Sequence, residues 1–499
     1  MTPTALPTSA VDPPPAAAAP EKAAPKPRHL VDRSFVIPPL EVVASKDHIL
    51  TLANGQEVFD ATGGAAVACL GYGNVEVKEA IIKQLDVNSY CNSMLFSAPA
   101  CEELAKEVIE GTGNLMSRAW FCSSGSEATE AALKMARQYF IEKNEPSRTR
   151  FIARQHSYHG NTLGALGVSG HLARREIYLP MLAENTSWIP PCNAYRQRKE
   201  GESDEIFVAR KAQELDAEFQ RVGPSNVIAF IAEPVSGASL GCVPYVPGYL
   251  AVMKKVCRKY GALVIWDEVM SGMGRCGRLH AWQGDHIPPS PSSPNPSERE
   301  GQDAVPDLQM VGKGLGGGYA SIAGVIVGKE VVEVMSKGEK GGACFVHGQT
   351  YQSLPLSCAA ALKVQTIIRR DGLIGNCAAM GILLEQKLKE KLASHPHMGD
   401  IRGLGLFWGL ELVANKDTKE PFNVKWDVAG RIRDVALMEE NITFYHGQGT
   451  VDGVKGDHLI VAPGYNISKS EVEMIVERLV KAIDTTFAAM KAEGMEVMV

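Results

Sequence analysis

Ala119-Trp120-Phe121-Cys122-Ser123-Ser124-Gly125-Ser126-Glu127 passes from apolar to small and polar residues within nine positions. Ala119–Cys122 is a short apolar run, Ser123–Ser126 is small and polar, and Glu127–Phe140 carries apolar residues at helical spacing. Strand, tight turn and helix therefore follow one another directly. Ser124 and Glu127 stand in the S-x-x-E relation of a capping box, which sets the helix start just after the turn. Two hydroxyls, a glycine and the free N–H groups of a helix N-terminus suit a phosphate monoester. Taken alone, the same residues describe an ordinary helix cap.

Two further strands are predicted downstream: Val227–Ala232, ending at Glu233-Pro234, and Leu263–Trp266, ending at Asp267-Glu268. Each is continuous, apolar and preceded by a helical stretch, Ile206–Gln220 and Tyr249–Tyr260 respectively. That alternation predicts an α/β fold in which a mainly parallel sheet is covered by helices on both faces. Ligands of such sheets sit beyond the carboxyl ends of the strands, where Ser124, Glu233 and Asp267 all fall. On the amino-terminal side, Val77–Leu85 and Glu102–Ile109 read as helices; past Pro355 come Leu356–Arg370, Asn376–Ser394, a glycine-rich turn at Gly403–Gly409 and a last helix, Lys469–Lys491. The expected organisation is a large domain over 96–355 and a smaller α+β domain over 356–499, with residues 29–95 contributing to the smaller one. The Pro/Ala-rich arm 1–28 and the Pro/Ser tract 288–302 are too polar and proline-rich to pack.

The 499 residues, 45% apolar and 22% charged, have the balance of an ordinary folded enzyme with two or three domains. Lys and Arg total 51 against 57 Asp and Glu, a net charge of -6, and no basic run offers a footprint for nucleic acid or an anionic membrane. No uninterrupted apolar stretch approaches the roughly 20 residues of a bilayer crossing. The 11 cysteines form no C-x-x-C pair, so zinc and a disulfide framework are not expected, and thiols in a reducing compartment are. The arm lacks the pattern of a secretory or transit signal, and the expected location is cytoplasmic.

Gly312-Lys313-Gly314-Leu315-Gly316-Gly317-Gly318 sets one lysine among glycines. Its formal G-x-G-x-x-G match lacks the strand, long helix and downstream acid of a dinucleotide site, and no Walker motif is present. A lysine in such a pocket loses its proton as desolvation lowers its pKa, and the free amine can condense with a carbonyl; an isolated lysine is otherwise a solvated one. Asp267, at the end of an apolar strand, needs a positive partner to offset burial, for which a protonated pyridine nitrogen would serve, or it caps the following turn. His156 and His159 form H-x-x-H, but without a third ligand no metal site is expected.

Taken together, these segments resemble the class III pyridoxal-phosphate aminotransferases of fold type I. The matching pieces are Ser124-Gly125-Ser126-Glu127-Ala128, Tyr158-His159-Gly160, Glu233-Pro234, Asp267-Glu268-Val269 with Gly272, Gly274, Arg275 and Gly277, Gly312-Lys313-Gly314, and His347-Gly348-Gln349-Thr350-Tyr351. They occur in the family's order over roughly 50–470, with the Pro/Ser tract widening the interval from Asp267 to Lys313. The resemblance implies that pyridoxal 5'-phosphate is held by Lys313 as a Schiff base, that Lys313 then shuttles the proton, and that Asp267 pairs with the pyridinium nitrogen. It implies further that Ser124, Gly125 and Ser126 bind the phosphate, that Thr350 reaches that phosphate from the second subunit of a homodimer, and that Tyr158 and Val269 cover the two ring faces. His159 and Glu233 complete the expected cofactor shell.

Members acting on ornithine, acetylornithine or 4-aminobutyrate carry an arginine where this chain has Ile460, and the movable arginine of many ω-transaminases has no match in Thr443–Gly447. Both departures favour an amine or hydrophobic amino donor. Tyr445 and Arg402 are the expected substrate contacts, Arg275 being an equal candidate for a substrate carboxylate. The expected reaction is a ping-pong transfer from an amine or ω-amino donor to a keto acid or aldehyde such as pyruvate; an aminomutase or decarboxylase is the alternative on the same scaffold.

Overall fold

In the computed structural model residues 29–285 and 302–495 are described. Seven strands form the central sheet, in the order Met116–Cys122, Ala323–Gly328, Leu308–Val311, Leu263–Glu268, Val227–Ala232, Arg150–Arg154, Thr186–Ile189. The five from Leu308–Val311 to Thr186–Ile189 are mutually parallel, and Ala323–Gly328 runs antiparallel to both of its neighbours. Side-chain alternation explains why both faces are covered. Leu263 and Ile265 pack with Ala128–Phe140 of the helix Gly125–Glu142, whereas Val264 and Trp266 pack with the helices Asp204–Val222 and Tyr249–Lys259. A strand buried on both sides has no polar face, so it reads as a continuous apolar run.

The remaining sheets are smaller. Val42–Lys46, Ile49–Leu52 and Glu57–Asp60 form a meander joined in parallel by Ile442–Thr443. Met398–Leu404, Phe407–Leu412, Asp457–Val461 and Tyr445–Gln448 form an antiparallel sheet. Residues from the helices Leu373–Leu392, Val428–Met438 and Lys469–Ala492 share one apolar core with both. Residues 29–41, a unit of their own, carry no helix or strand; there Ser34 Oγ accepts the Val36 and Ile37 N–H groups.

Every helix and strand predicted above is present, with ends shifted by a few residues. Gly403–Gly409 is a tight hairpin rather than a free turn, with Gly405 at φ +56 between the paired strands. The strands Arg150–Arg154, Thr186–Ile189, Leu308–Val311 and Ala323–Gly328 escape the sequence reading, because apolar runs this short do not distinguish strand from buried helix. The arm 1–28 and nearly all of the tract 288–302 lie outside the described residues. Among the described residues no helix is long and apolar enough to cross a membrane, and no group of three candidate metal ligands occurs.

Candidate active site

Asp267 is the penultimate residue of the strand Leu263–Glu268, on the face shared by Leu263 and Ile265, the face that looks toward the helix Gly125–Glu142. It is 6% exposed. Its Oδ1 accepts the Val269 N–H at 3.0 Å, turning the chain, and its Oδ2 lies 2.8 Å from His159 Nδ1. An ionised carboxylate only accepts, so Nδ1 carries the hydrogen in this contact. His159 is fixed from its backbone: its N–H donates to Ser169 Oγ at 2.8 Å and its carbonyl accepts Thr129 Oγ1 at 2.6 Å. Thr129 belongs to the helix that begins at Gly125, so one helix positions both the anion-binding turn and the histidine behind Asp267.

Ser124 caps that helix as expected, accepting the Glu127 N–H at 3.3 Å while Glu127 Oε2 accepts the Ser123 and Ser124 N–H groups. The Gly125 and Ser126 N–H groups precede the first intrahelical bond, from Ala128 to Ser124, and are the donors a helix N-terminus offers to an anion. A Cβ on Gly125 would come within 2.8 Å of Val269 Cγ1, and one on Gly312 within 3.2 Å of the same atom. Val269 thus stands between the helix start and the lysine turn. Ser126 Oγ pairs with Asn161, and a Cβ on Gly160 would lie 2.6 Å from that oxygen, so the Tyr158–Asn161 turn sits directly on the helix start.

Lys313 follows the strand Leu308–Val311, whose register sets Met310 opposite Asp267 and Val311 opposite Glu268. Its backbone is left-handed, φ +43, a conformation costing a non-glycine residue about 1–2 kcal/mol. Hydrogen bonds hold it there: Gly316 and Gly317 N–H donate to its carbonyl, and Gln365 Nε2 donates to the Gly314 and Leu315 carbonyls. Burial lowers the Lys313 pKa from its ordinary 10.5; Asp267 opposes that shift, and the Arg174 guanidinium adds to it. The free amine is the nucleophilic form. Glu268, fully buried, accepts the Ala281 and Trp282 N–H groups, and burial pushes its pKa up to about 8.

Glu233 is buried in an ion pair with Arg154 at 3.0 Å and accepts the Tyr158 N–H at 3.1 Å. The Tyr158 ring carries the Arg174 guanidinium over one face, 4.4 Å from its centroid. Thr350 is exposed, on a segment fastened to the large sheet by the bond from Ser353 N–H to the Phe121 carbonyl; no hydrogen bond joins it to the other site residues of its own chain. Tyr445 is half-buried against the cluster containing Phe407 and Ile460. Arg402 is buried, with four of its five N–H donors engaged by Glu411 at 2.6 Å, Asp400 at 3.0 Å and the Gly241 and Leu240 carbonyls, so a substrate carboxylate would find no free bidentate edge. Arg275 is fully buried, donating to the Leu406 and Pro463 carbonyls. Thr129, Asn161, Arg174 and Gln365 were not read from the sequence; they carry no motif and matter through the segments they meet.

A lysine amine with weakened proton affinity, a buried carboxylate at a strand end, and outward N–H groups around a glycine cradle define a site for a phosphorylated aldehyde cofactor. The donor set fits pyridoxal 5'-phosphate, and the narrow space at Gly125 fits a backbone that must approach a phosphate closely. The comparisons agree. Residues 31–483 match the class-III aminotransferase family model. The chain is 46% identical over 448 residues to an aminotransferase of Gibberella zeae, covering 89% of this chain and 84% of that protein. It is 45% identical over 452 residues to an aminotransferase of Schizosaccharomyces pombe, with 91% and 94% covered, and 32% identical over 444 residues to the putrescine–pyruvate aminotransferase of Pseudomonas aeruginosa, with 88% and 89% covered.

Among solved structures, an (S)-enantioselective ω-transaminase from Thermomicrobium roseum superposes with a TM-score of 0.82 at 30% identity, covering 92% of this chain and 96% of that one. An amine transaminase from an uncultivated Pseudomonas species, in its pyridoxal-phosphate-bound form, superposes at 0.81 with 27% identity, covering 94% and 99%. This chain belongs to the class-III aminotransferase family. It is a pyridoxal-phosphate-dependent transaminase of fold type I.

Proposed function

We propose that this transaminase takes the amino group of an aliphatic amine or ω-amino donor and delivers it, in a second half-reaction at the same site, to a keto acid or aldehyde such as pyruvate. The observation that carries the reading is the convergence of Lys313, Asp267 and the Gly125–Ser126 donors around Val269. The donor class is supported by the putrescine–pyruvate relative and the amine-transaminase neighbour. It is supported also by Ile460, which is fully buried on the strand Asp457–Val461 and gives a donor carboxylate no cation.

Bound pyridoxal phosphate supplies an electron sink that makes the donor's α-hydrogen acidic. The chain supplies the rest. Asp267, buried and oriented by His159, would pair with the ring nitrogen; the Gly125 and Ser126 N–H groups would bind the phosphate; Val269 and Tyr158 would bound the ring. Lys313 Nζ accepts the donor's α-proton and returns it, its proton affinity lowered by burial. Glu233 positions the Tyr158 backbone rather than touching the reacting atoms.

Two copies of the chain are proposed to complete each site. Met94, Leu95, Phe96 and Tyr351 are 87%, 76%, 63% and 58% exposed, an apolar group of the kind that marks a protein interface. Thr350, next to Tyr351, would then serve the phosphate of the opposite copy. A cytoplasmic setting is in keeping with the cysteines, most of which are buried as small apolar groups.

The test is the visible absorption of the holoenzyme against a panel of amines without acceptor. Bleaching by diamines or ω-amino acids, reversed by pyruvate with alanine formed, is the expected result. Bleaching only by α-amino acids would overturn the donor class, and product released without any acceptor would replace transfer by rearrangement or decarboxylation.

A further inference from the structure

The arginines around Tyr158 are unequally engaged. Arg154 is paired with Glu233. Arg175 lies over Trp188 at 4.4 Å and donates from Nε to the Leu166 carbonyl at 3.1 Å. Arg402 is engaged as described above, and Arg275, with no exposed surface, lies 4.6 Å from the Tyr465 ring centroid and donates from Nη1 alone, its Nε and Nη2 having no hydrogen-bond partner among the described residues. Arg174 differs: half-buried on the short helix Leu172–Arg175, it has its guanidinium 4.4 Å from the Tyr158 ring centroid and, among the described residues, no carboxylate within ion-pair distance. Tyr158 directly precedes His159, whose ring contacts Asp267, so the stack is built on the same turn that forms the site. The charge of Arg174 is felt at Lys313.

We infer that Arg174 receives the carboxylate of the keto-acid acceptor, with Tyr158 as the plate on which its guanidinium lies. This rests on the reading of the chain as an amine-to-keto-acid transaminase and names the group that reading leaves open. A guanidinium stacked on an aromatic face keeps its N–H donors in its own plane, directed outward, where they match a planar carboxylate two at a time. In a 2-keto acid the carboxylate is bonded to the reacting carbonyl carbon, so its partner has to stand close to Lys313. An amine donor has no such group. Arg174 lies over Tyr158, on the turn whose next residue contacts Asp267, and it is partly solvated and supported by the ring, so leaving it unpaired while an amine is bound avoids the penalty of a dry, uncompensated charge.

The test uses the holoenzymes of wild type, Arg174→Leu and Arg174→Lys with one amine donor and two acceptors of equal carbon count, pyruvate and propanal. The expected result is that Arg174→Leu lowers the ratio of kcat/KM for pyruvate over propanal about 10–100-fold, mainly through KM, with Arg174→Lys in between. Calorimetric titration with propionate, an unreactive carboxylate, is expected to show binding weakened about tenfold or more in Arg174→Leu. An unchanged ratio with unchanged propionate binding would overturn the assignment, as would a loss of the cofactor's visible band in Arg174→Leu, which would make Arg174 a cofactor ligand. If wild type transfers no amine to either acceptor, the functional reading falls, and the propionate titration still decides Arg174.

Discussion

His159 Nδ1 lies 2.8 Å from Asp267 Oδ2, and that contact ties the turn after the strand Arg150–Arg154 to the end of the strand Leu263–Glu268. The carboxylate thereby has one oxygen committed to the imidazole and the other to the Val269 N–H, so its orientation is set before any ligand arrives. His159→Ala is expected to lower kcat/KM about 10–100-fold, the worth of one hydrogen bond to a charged group. A variant that keeps wild-type kcat/KM and cofactor affinity would reduce the contact to packing.

Asp267→Asn keeps the shape and an acceptor for Val269 while removing the charge. Turnover is expected to fall on the order of 100-fold or more, because the charge acts in a dry site where electrostatic terms are large. Stopped-flow measurement of the first half-reaction checks this, and a loss confined to the second half-reaction would speak against the assigned role.

Lys313 makes stability depend on pH in the cofactor-free protein. Its folded pKa is below the ordinary 10.5, so between the two values the unfolded chain binds a proton that the folded chain does not, and stability rises with pH across that window. Lys313→Met removes the cost. The variant is expected to melt above cofactor-free wild type at pH 7, with the gap closing as pH approaches 10.5, and it should show no turnover. A gap independent of pH would mean that the amine is ordinarily solvated.

Gly125→Ala places a Cβ 2.8 Å from Val269 Cγ1. Overpacking of this kind costs about 1–3 kcal/mol. Weaker cofactor binding and a lower Tm are expected, both partly restored by adding Val269→Ala. Failure of the second substitution to restore either property would locate the cost in the glycine backbone instead.

Arg402→Ala takes from the buried Glu411 one of its two cationic partners, leaving the partly buried Arg196. Removing one member of a buried pair costs about 3–5 kcal/mol. The Tm should drop sharply while the preference between acceptors stays as in wild type; a changed preference would return Arg402 to the substrate pocket.

Much of this molecule is determined locally and was legible in the chain itself. The Ser124–Glu127 cap, the apolar strands ending at Glu233 and Asp267, and the glycine-flanked Lys313 depend on near neighbours in sequence, through periodicity, capping and turn chemistry. The family's motifs lie on the same segments, so the fold class and the cofactor follow from local residue patterns. Which distant segments meet depends on long-range packing. It set His159 against Asp267, put Val269 between Gly125 and Gly312, spent Arg402 on Glu411, and left Arg174 over Tyr158 without a carboxylate. Arginines look alike in a sequence; their roles diverge because a guanidinium is available to a substrate only where packing has not already supplied its anion.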